Sequence, residues 1–365
     1  MHICLIGLES LSVFMPGFES YRTGGEQVQV SLLAKALVRK GLKVTLVVLD
    51  YGQASEIEYA GVSIIKVYSP DEGFPVVRFI YPRIFKLWRA LIKVNADVYY
   101  TSCAGYIVGL VSFFCKIKSK KSVFRVASDN DCDPKKLLIG LWRDRKIYEY
   151  GLKRQHKVLV QSLTQKNSLR KNYNIQGMIA GMFVETTGIY NSLGSRDIDV
   201  LWVSNIRGLK RPDLVLILAR MLPQYSFHMV GGPIDKDLYD KVLEESKKID
   251  NLNFYGAVSY QKVSNLYGKA KVFINTSDVE GFPNSYLQAW VNGAPTIVFI
   301  DPDDCIVENN LGFKAVNVDD MAKIIRELLD SQDSWSRLSK NCVEYMNKNY
   351  SNDKILEPYL SAIKE

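Results

Sequence analysis

Short apolar runs alternate with stretches of helical spacing along the whole chain. Residues 2–8, HICLIGL, form one such run, and a loop then leads to Gly24 and Gly25. From there EQVQVSLLAKALVRKG sets Val30, Leu33, Ala34 and Leu37 on one helical face and closes on Gly41. KVTLVVL follows as a second buried run. Strand, helix and strand in that order predict a βαβ unit, hence a parallel sheet with right-handed crossovers. The rhythm restarts at DVLWVSNI (residues 199–206), passes through a helix over 212–222, and continues in YSFHMVGG, NLNFYGAV, KVFINTS and APTIVFI. The short polar stretch YNSLGSRD (residues 190–197) reads as the linker, and no fixed-period repeat or low-complexity segment interrupts either half. The pattern predicts an α/β protein of two Rossmann-like domains with parallel sheets. They face a central cleft where ligands meet the C-terminal ends of the strands.

Length agrees, since 365 residues exceed what one core usually holds. The six cysteines are scattered without a C-x-x-C pair, so neither a disulfide framework nor a metal site is expected, and a reducing cytosol fits. HICLIGL begins at once with no basic stretch ahead of it, so no secretory leader is expected. The longest apolar run, residues 104–115, is too short to span a bilayer. Charge adds more. The net +8 divides into +12 over residues 1–195 and −4 over 196–365. A basic half suits an anionic partner, or is a solvated face with none. The stretch VVRFIYPRIFKLWRALIKV interleaves Arg83, Lys86, Arg89 and Lys93 with aromatic and aliphatic residues. A helix from Pro82 would suit a membrane interface, or equally a core face with solvated cations. No nucleic-acid recognition motif accompanies the charge, so nucleic acid is not expected as a partner.

Candidate chemistry concentrates in DVEGFPNSYLQAWVNGAPT, residues 278–296. Gly281 lets the backbone approach a ligand closely, and Pro283 fixes the turn. Asn284 or Ser285 can cap the helix that follows, whose start is then a receptor for an anion. Glu280 and Gln288, eight positions apart, can reach hydroxyls of the same ligand. A plain capped helix with a surface glutamate would read the same way. Elsewhere, SDNDCD (residues 128–133) contains Asp-x-Asp twice, so a divalent cation at Asp129 and Asp131 is an alternative. His228 lies within a strand and reads as structural. No Gly-x-Ser-x-Gly elbow occurs, and the absence of Gly-x-Gly-x-x-Gly after the first strand leaves a nicotinamide cofactor unsupported.

These residues resemble the family-4 retaining glycosyltransferases of GT-B architecture, whose motif runs E-G-F-x-x-x-x-x-E-A-x-x-x-G-x-P. The chain has Glu280-Gly281-Phe282, then Gln288-Ala289, then Gly293-Ala294-Pro295, with Gln288 in place of the second glutamate. The resemblance implies that Glu280 lies beside the donor sugar and that Gln288 meets the ribose hydroxyls. Gly281, Phe282, Asn284, Ser285 and Val258 complete the implied donor set. NIRGLKRPD resembles the family's diphosphate clamp. Lys210 stands at the lysine position, and Arg207 serves in place of the arginine position, here Asn205. Two fixed cations there would stabilise the charge growing on the leaving diphosphate. YRTGGEQVQVSLLAKAL resembles the glycine loop that borders donor phosphates and acceptor, through Gly24 and Gly25. YGLKRQHKVLVQSLTQKNSL resembles the segment ending the first domain. Many members place a histidine after the strand SVFRVA; none stands here, which makes Asp129 the acceptor-side candidate.

The implied division is an acceptor domain over 1–195, a donor domain over 196–345, and a terminal helix over 346–365 crossing back to the first domain. The implied activity moves a sugar from a UDP- or GDP-sugar to an acceptor hydroxyl, with retention and without cofactor or metal. A basic first domain points to a glycan or lipid-linked acceptor of bacterial surface polysaccharide synthesis (O-antigen, capsule or exopolysaccharide). The expected location is the cytoplasm, in peripheral contact with anionic lipid at the inner face of the cell membrane. A nucleotide-sugar epimerase of the same architecture and a non-catalytic nucleotide-sugar-binding protein are the alternatives.

Overall fold

The computed structural model describes residues 1–18, 24–75, 77–185 and 192–365. Residues 21–23 of the glycine loop and 190–191 of the polar linker lie outside the described residues. Contacts divide the chain into two compact units, one of Met1–Phe183 with Asn352–Glu365 and one of Val184–Ser351. The first division falls at 183 rather than 195, because Phe183 is tied to the first unit. Its carbonyl accepts from Gln29 Nε2 at 2.7 Å and its amide donates back to Gln29 Oε1 at 2.8 Å. The second falls at 351 rather than 345, because the helix Gln332–Asn349 runs on within the second unit. The terminal helix Asn352–Lys364 packs on the first unit, where the Tyr359 hydroxyl donates to the Gly181 carbonyl at 2.9 Å.

The first unit holds the strands β1 (His2–Ile6), β2 (Lys43–Val48), β3 (Glu56–Tyr59), β4 (Val62–Lys66), β5 (Val98–Ser102), β6 (Lys121–Arg125), β7 (Lys157–Val160) and β8 (Met178–Ile179). Their order is β3-β4-β2-β1-β5-β6-β7-β8, parallel throughout except for β3 against β4. That hairpin was not legible in the apolar pattern, since β3 is a half-exposed edge strand. Its turn, Ala60-Gly61, has positive φ at both residues, as tight hairpins require. The second unit holds β9 (Ile198–Val203), β10 (Phe227–Val230), β11 (Leu252–Phe254), β12 (Ala270–Asn275), β13 (Thr296–Val298) and β14 (Gly312–Lys314), all parallel, in the order β11-β10-β9-β12-β13-β14.

Helices cover both faces of each sheet, so the central strands are buried on both sides and read as continuous apolar runs. Cys4 and Leu5 of β1 and Val272, Phe273 and Ile274 of β12 are fully buried. Chain order reverses between β1 and β5 in the first sheet and between β9 and β12 in the second. In open α/β sheets such reversals open a crevice at the strand C-terminal ends, where ligands bind. Two expectations need correction. NLNFYGAV is strand only to Phe254; Gly256, at φ +66°, turns the chain, so Val258 sits in the loop before the helix Tyr260–Lys269. The helix expected from Pro82 is a wide turn over Phe79–Ile84 followed by a helix over Phe85–Val94. Tyr81 ahead of the proline is held extended at φ −124°, ψ 125°, as pre-proline sterics favour.

Candidate active site

The second sheet's reversal brings Lys210 and Glu280 together. Lys210 closes the turn Gly208–Lys210 after β9, and Glu280 lies in the loop after β12. Their Nζ and Oε1 are 2.5 Å apart, with side chains only 12% and 10% exposed. Asn275, the last residue of β12, donates to the same Oε1 at 3.1 Å. The two loops are also laced through Thr276, whose hydroxyl meets the Lys210 and Arg211 carbonyls at 2.8 and 3.0 Å. The same hydroxyl accepts from the Trp202 indole at 3.0 Å. The Asp278 amide donates to the Leu209 carbonyl at 3.0 Å. A cation and a carboxylate are thus held in fixed places at the crevice rather than waving from solvated loops. Arg207 is exposed on the same turn. Asn205 has a scaffold role, its Oδ1 accepting from the Gly232 amide at 3.3 Å.

The helix after Glu280 runs Asn284–Val291. Pro283, not Asn284 or Ser285, occupies its N-cap position, at φ −70° and ψ 131°, so the expected side-chain cap is replaced by a residue that offers none. Proline's fixed φ sets the entry angle, and the first-turn amides keep no side-chain oxygen from that position. Gly281 lies in the turn, and Phe282 packs edge-on against Trp290 with ring centres 6.1 Å apart. Gln288, one turn into the helix, hydrogen-bonds the Tyr260 side chain. Burial pushes the Tyr260 phenol up to about 12, and the Glu185 carboxylate adds to it. Sequence pattern did not single out Asn275, Thr276 or Tyr260. A polar Asn-Thr-Ser directly ending an apolar strand was the available signal.

The first sheet's reversal gathers a different set. Glu26, in the first turn of the helix Gly25–Arg39, accepts from the Ser102 hydroxyl at the end of β5 at 2.7 Å. Gln27 donates to Glu9 Oε2, after β1, at 2.9 Å. Burial pushes the Glu26 carboxyl up to about 7 and the neighbouring Glu9 adds to this, against the Ser102 hydrogen bond and the Arg125 charge. Gly24 is the N-cap residue of that helix, in extended conformation, and Gly25 is its first residue. Glu26 was missed because only the glycine pair drew notice. A carboxylate directly after two glycines at a helix start was the signal.

Asp129 and Asp131 lie in the turn Asp129–Cys132 after β6. Asp129 accepts from Gln165 Nε2 at 3.0 Å. Asp131 is buried and accepts from the Ala127 and Ser128 amides at 3.0 and 3.1 Å, closing a capping box with Ser128. Burial lifts its carboxyl to about 6. Among the described residues no group of three His, Cys, Asp or Glu is placed to hold a metal ion. His228 is half-buried and shares a 2.6 Å hydrogen bond with the Tyr255 hydroxyl.

The basic stretch of the first unit is less free than its sequence suggests. Lys86 pairs with Glu72, Lys93 with Glu56, and Arg83 donates to the Pro70 carbonyl at 3.4 Å. Arg89 is exposed and lies 5.7 Å from the Phe85 ring. Phe74, Ile80, Tyr81 and Phe85 are exposed beside them. No helix among the described residues is long and apolar enough to cross a membrane.

Two family models match, one described as Glycosyl transferases group 1 over residues 191–348 and one as Glycosyltransferase Family 4 over residues 23–179. The chain belongs to the family-4 glycosyltransferases and has their GT-B fold. It is similar to the O-antigen biosynthesis glycosyltransferase WbnH of Escherichia coli, 28% identical over 141 residues, 35% of this chain and 39% of that protein. It is also similar to the poly(ribitol-phosphate) alpha-N-acetylglucosaminyltransferase of Staphylococcus aureus (strain COL), 26% identical over 169 residues, 44% of this chain and 34% of that protein. The match therefore spans well under half of either relative. Among solved structures, sucrose-phosphate synthase from Thermosynechococcus elongatus aligns with a TM-score of 0.80 at 17% identity, covering 100% of this chain and 98% of that one. WaaG, a glycosyltransferase involved in lipopolysaccharide biosynthesis, aligns at 0.72 and 15%, covering 99% and 98%.

Proposed function

We propose that this glycosyltransferase moves a sugar, with retention and without a metal ion, from a UDP- or GDP-sugar to a hydroxyl of a lipid-linked surface glycan. The observation that carries the reading is the Lys210–Glu280 pair at the reversal of the second sheet. A donor diphosphate arriving there meets a pre-placed ammonium, and the freed Glu280 carboxylate accepts from a sugar hydroxyl. Lys210, seconded by exposed Arg207, stabilises the charge that develops on the leaving diphosphate, and no protein nucleophile is required. Gly281, Phe282, Asn284, Ser285 and Val258 border the nucleotide, and Gln288 turns from Tyr260 toward the ribose. Gly24 and Gly25, at the start of the helix Gly25–Arg39, border the acceptor in this reading. On the acceptor side, Glu26 and Glu9 are better poised than Asp129 to orient a hydroxyl, since Asp129 is engaged by Gln165.

Similarity to O-antigen and wall-polymer glycosyltransferases supports a surface-glycan acceptor. The exposed apolar residues beside Arg89 support peripheral contact with an anionic bilayer at the cytoplasmic face. The test is nucleotide release from a panel of UDP- and GDP-sugars in excess chelator. Release that needs lipid-linked acceptor and survives chelation is expected, with the anomeric configuration of the product read by NMR. Acceptor-independent release with sugar epimerisation would make the protein an epimerase. Tight nucleotide binding with no turnover would make it a binding protein, and activity restored only by Mg²⁺ or Mn²⁺ would return Asp129 and Asp131 to the reaction.

A further inference from the structure

The first unit contains an apolar cavity of about 380 Å³ that lies outside both crevices. Its walls are Phe79 and Ile84 of the turn Phe79–Ile84, Tyr106, Leu110 and Phe113 of the helix Tyr106–Lys118, and Ile147 of the helix Trp142–Leu152. The two helices touch backbone to backbone at glycines. A Cβ on Gly109 would stand 2.1 Å from the Ile147 carbonyl oxygen, and one on Gly151 would stand 2.4 Å from Gly109 Cα. Long side chains flank that contact and leave a gap beside it. Protein interiors close such gaps, because lining atoms without neighbours forfeit dispersion contacts. The volume falls within the range of small-ligand pockets, about 300–1,000 Å³.

Three further observations say what fills it. Apolar side chains continue from the cavity onto the surface of the same three elements: Phe113 is 45% exposed, Ile80 68% and Trp142 78%. Lys146 lines the cavity, and the Arg143 guanidinium lies 3.4 Å from the centre of the Phe79 ring. Both belong to a segment, residues 134–154, with seven Lys and Arg against two Asp and Glu. The remaining wall leads back to the acceptor-side crevice. Tyr106 opens the helix that follows β5, four positions after Ser102, and its hydroxyl is 3.3 Å from that of Tyr68.

The geometry points to a site for the hydrocarbon tail of the acceptor's own lipid carrier: tail between the helices, phosphate against the basic segment, and sugar toward Glu26. This rests on the lipid-linked acceptor proposed above and assigns that acceptor's tail to named residues. An acyl chain borrowed from the bilayer would suit the lining, but it gives no reason for the cavity wall to continue through Tyr106 to Tyr68, which lies within reach of the Glu9 charge.

The test uses the full chain and farnesyl phosphate as probe, with a diazirine-bearing farnesyl phosphate for crosslinking. Wild-type protein should bind one equivalent, ethyl phosphate should not compete, and crosslinks should map to the segment containing Leu110 and Phe113. Leu110→Trp and Ile84→Trp, which fill the cavity from two sides, should each weaken binding at least tenfold; whichever variant keeps the wild-type circular dichroism spectrum decides the result. Both should retain wild-type affinity for UDP and GDP, whose proposed site lies in the other unit, so loss of tail binding stays separate from loss of the transferase reading. That reading fails on its own if no nucleotide sugar is ever cleaved, whatever farnesyl phosphate does. Equal binding by wild type and filled variants, or none by wild type, overturns the site. Photoreactive phosphatidylglycerol vesicles labelling Leu110 as strongly as the farnesyl probe would overturn the acceptor-tail assignment in favour of a bilayer chain.

Discussion

At the reversal of the second sheet an ammonium meets a carboxylate over 2.5 Å; at the reversal of the first, a carboxyl meets a serine hydroxyl over 2.7 Å with a second glutamate close by. Strand order about the two points is the same: β4-β2-β1-β5-β6-β7 in one unit and β11-β10-β9-β12-β13-β14 in the other. The scaffold supplies a crevice in both cases, and the side chains at its lip decide what enters. A fixed cation suits a diphosphate. A protonatable carboxyl beside a hydroxyl suits a neutral polyol. The proposed division into a donor half and an acceptor half thus rests on a few residues at equivalent places.

The sharpest way to break this comparison is to remove the cation. Lys210→Ala should lower turnover by about 10²–10³, the usual loss for one transition-state charge donor. Because the pair is mostly buried, the same change should also cost about 1–3 kcal/mol, the penalty of stranding the Glu280 carboxylate without its ammonium. Adding Glu280→Gln to that variant should restore stability, read by urea denaturation, but not turnover. A single variant with wild-type turnover would place the donor elsewhere.

A smaller effect is expected at Gln288. Gln288→Ala should weaken UDP or GDP binding by about 1 kcal/mol, near fivefold, for one hydrogen bond. Tyr260→Phe releases the amide from its present partner and should leave nucleotide affinity unchanged or improved. Calorimetric titration of both variants decides, and equal loss in the two would mean that the Gln288–Tyr260 contact shapes the site while ribose does not touch the amide.

The smallest effect concerns the acceptor side. Glu26 titrates near 7 in the folded chain, against about 4.5 for an ordinary glutamate. Between those values the folded state holds a proton that the unfolded state has lost, so stability should fall as pH rises from about 4.5 to 7. Glu26→Gln should flatten that slope in melting temperatures recorded from pH 4 to 8. Asp131, lifted to about 6, keeps part of it. A slope identical to wild type would put the Glu26 carboxyl in solvent and remove the contrast between the two crevices.

How much of this was readable beforehand follows from distance along the chain. The α/β alternation, the second-unit strands and the Glu280–Gln288 spacing are local patterns of sequence, set by helix and strand periodicity. The hairpin of β3 and β4 escaped because its outer strand, β3, is a half-exposed edge strand without an apolar signature. The cap expected at Asn284 and Ser285 went to Pro283, a difference of one position that periodicity does not resolve.

By itself the chain's order of residues determined the α/β rhythm of both halves, which half is basic, and that a carboxylate and a glycine turn precede the helix Asn284–Val291. The tertiary structure decided which side chains meet. Lys210 and Glu280 are 70 positions apart and Glu26 and Ser102 are 76 apart, and each pair is joined only because β9 lies next to β12 and β1 next to β5. It also decided that Lys86 and Lys93 face Glu72 and Glu56, partners that a reading of charge along the chain does not supply. The physical reason is one of range: hydrophobic periodicity is a property of neighbouring residues, whereas an ion pair or a pocket depends on strand adjacency, which the burial of whole elements settles together.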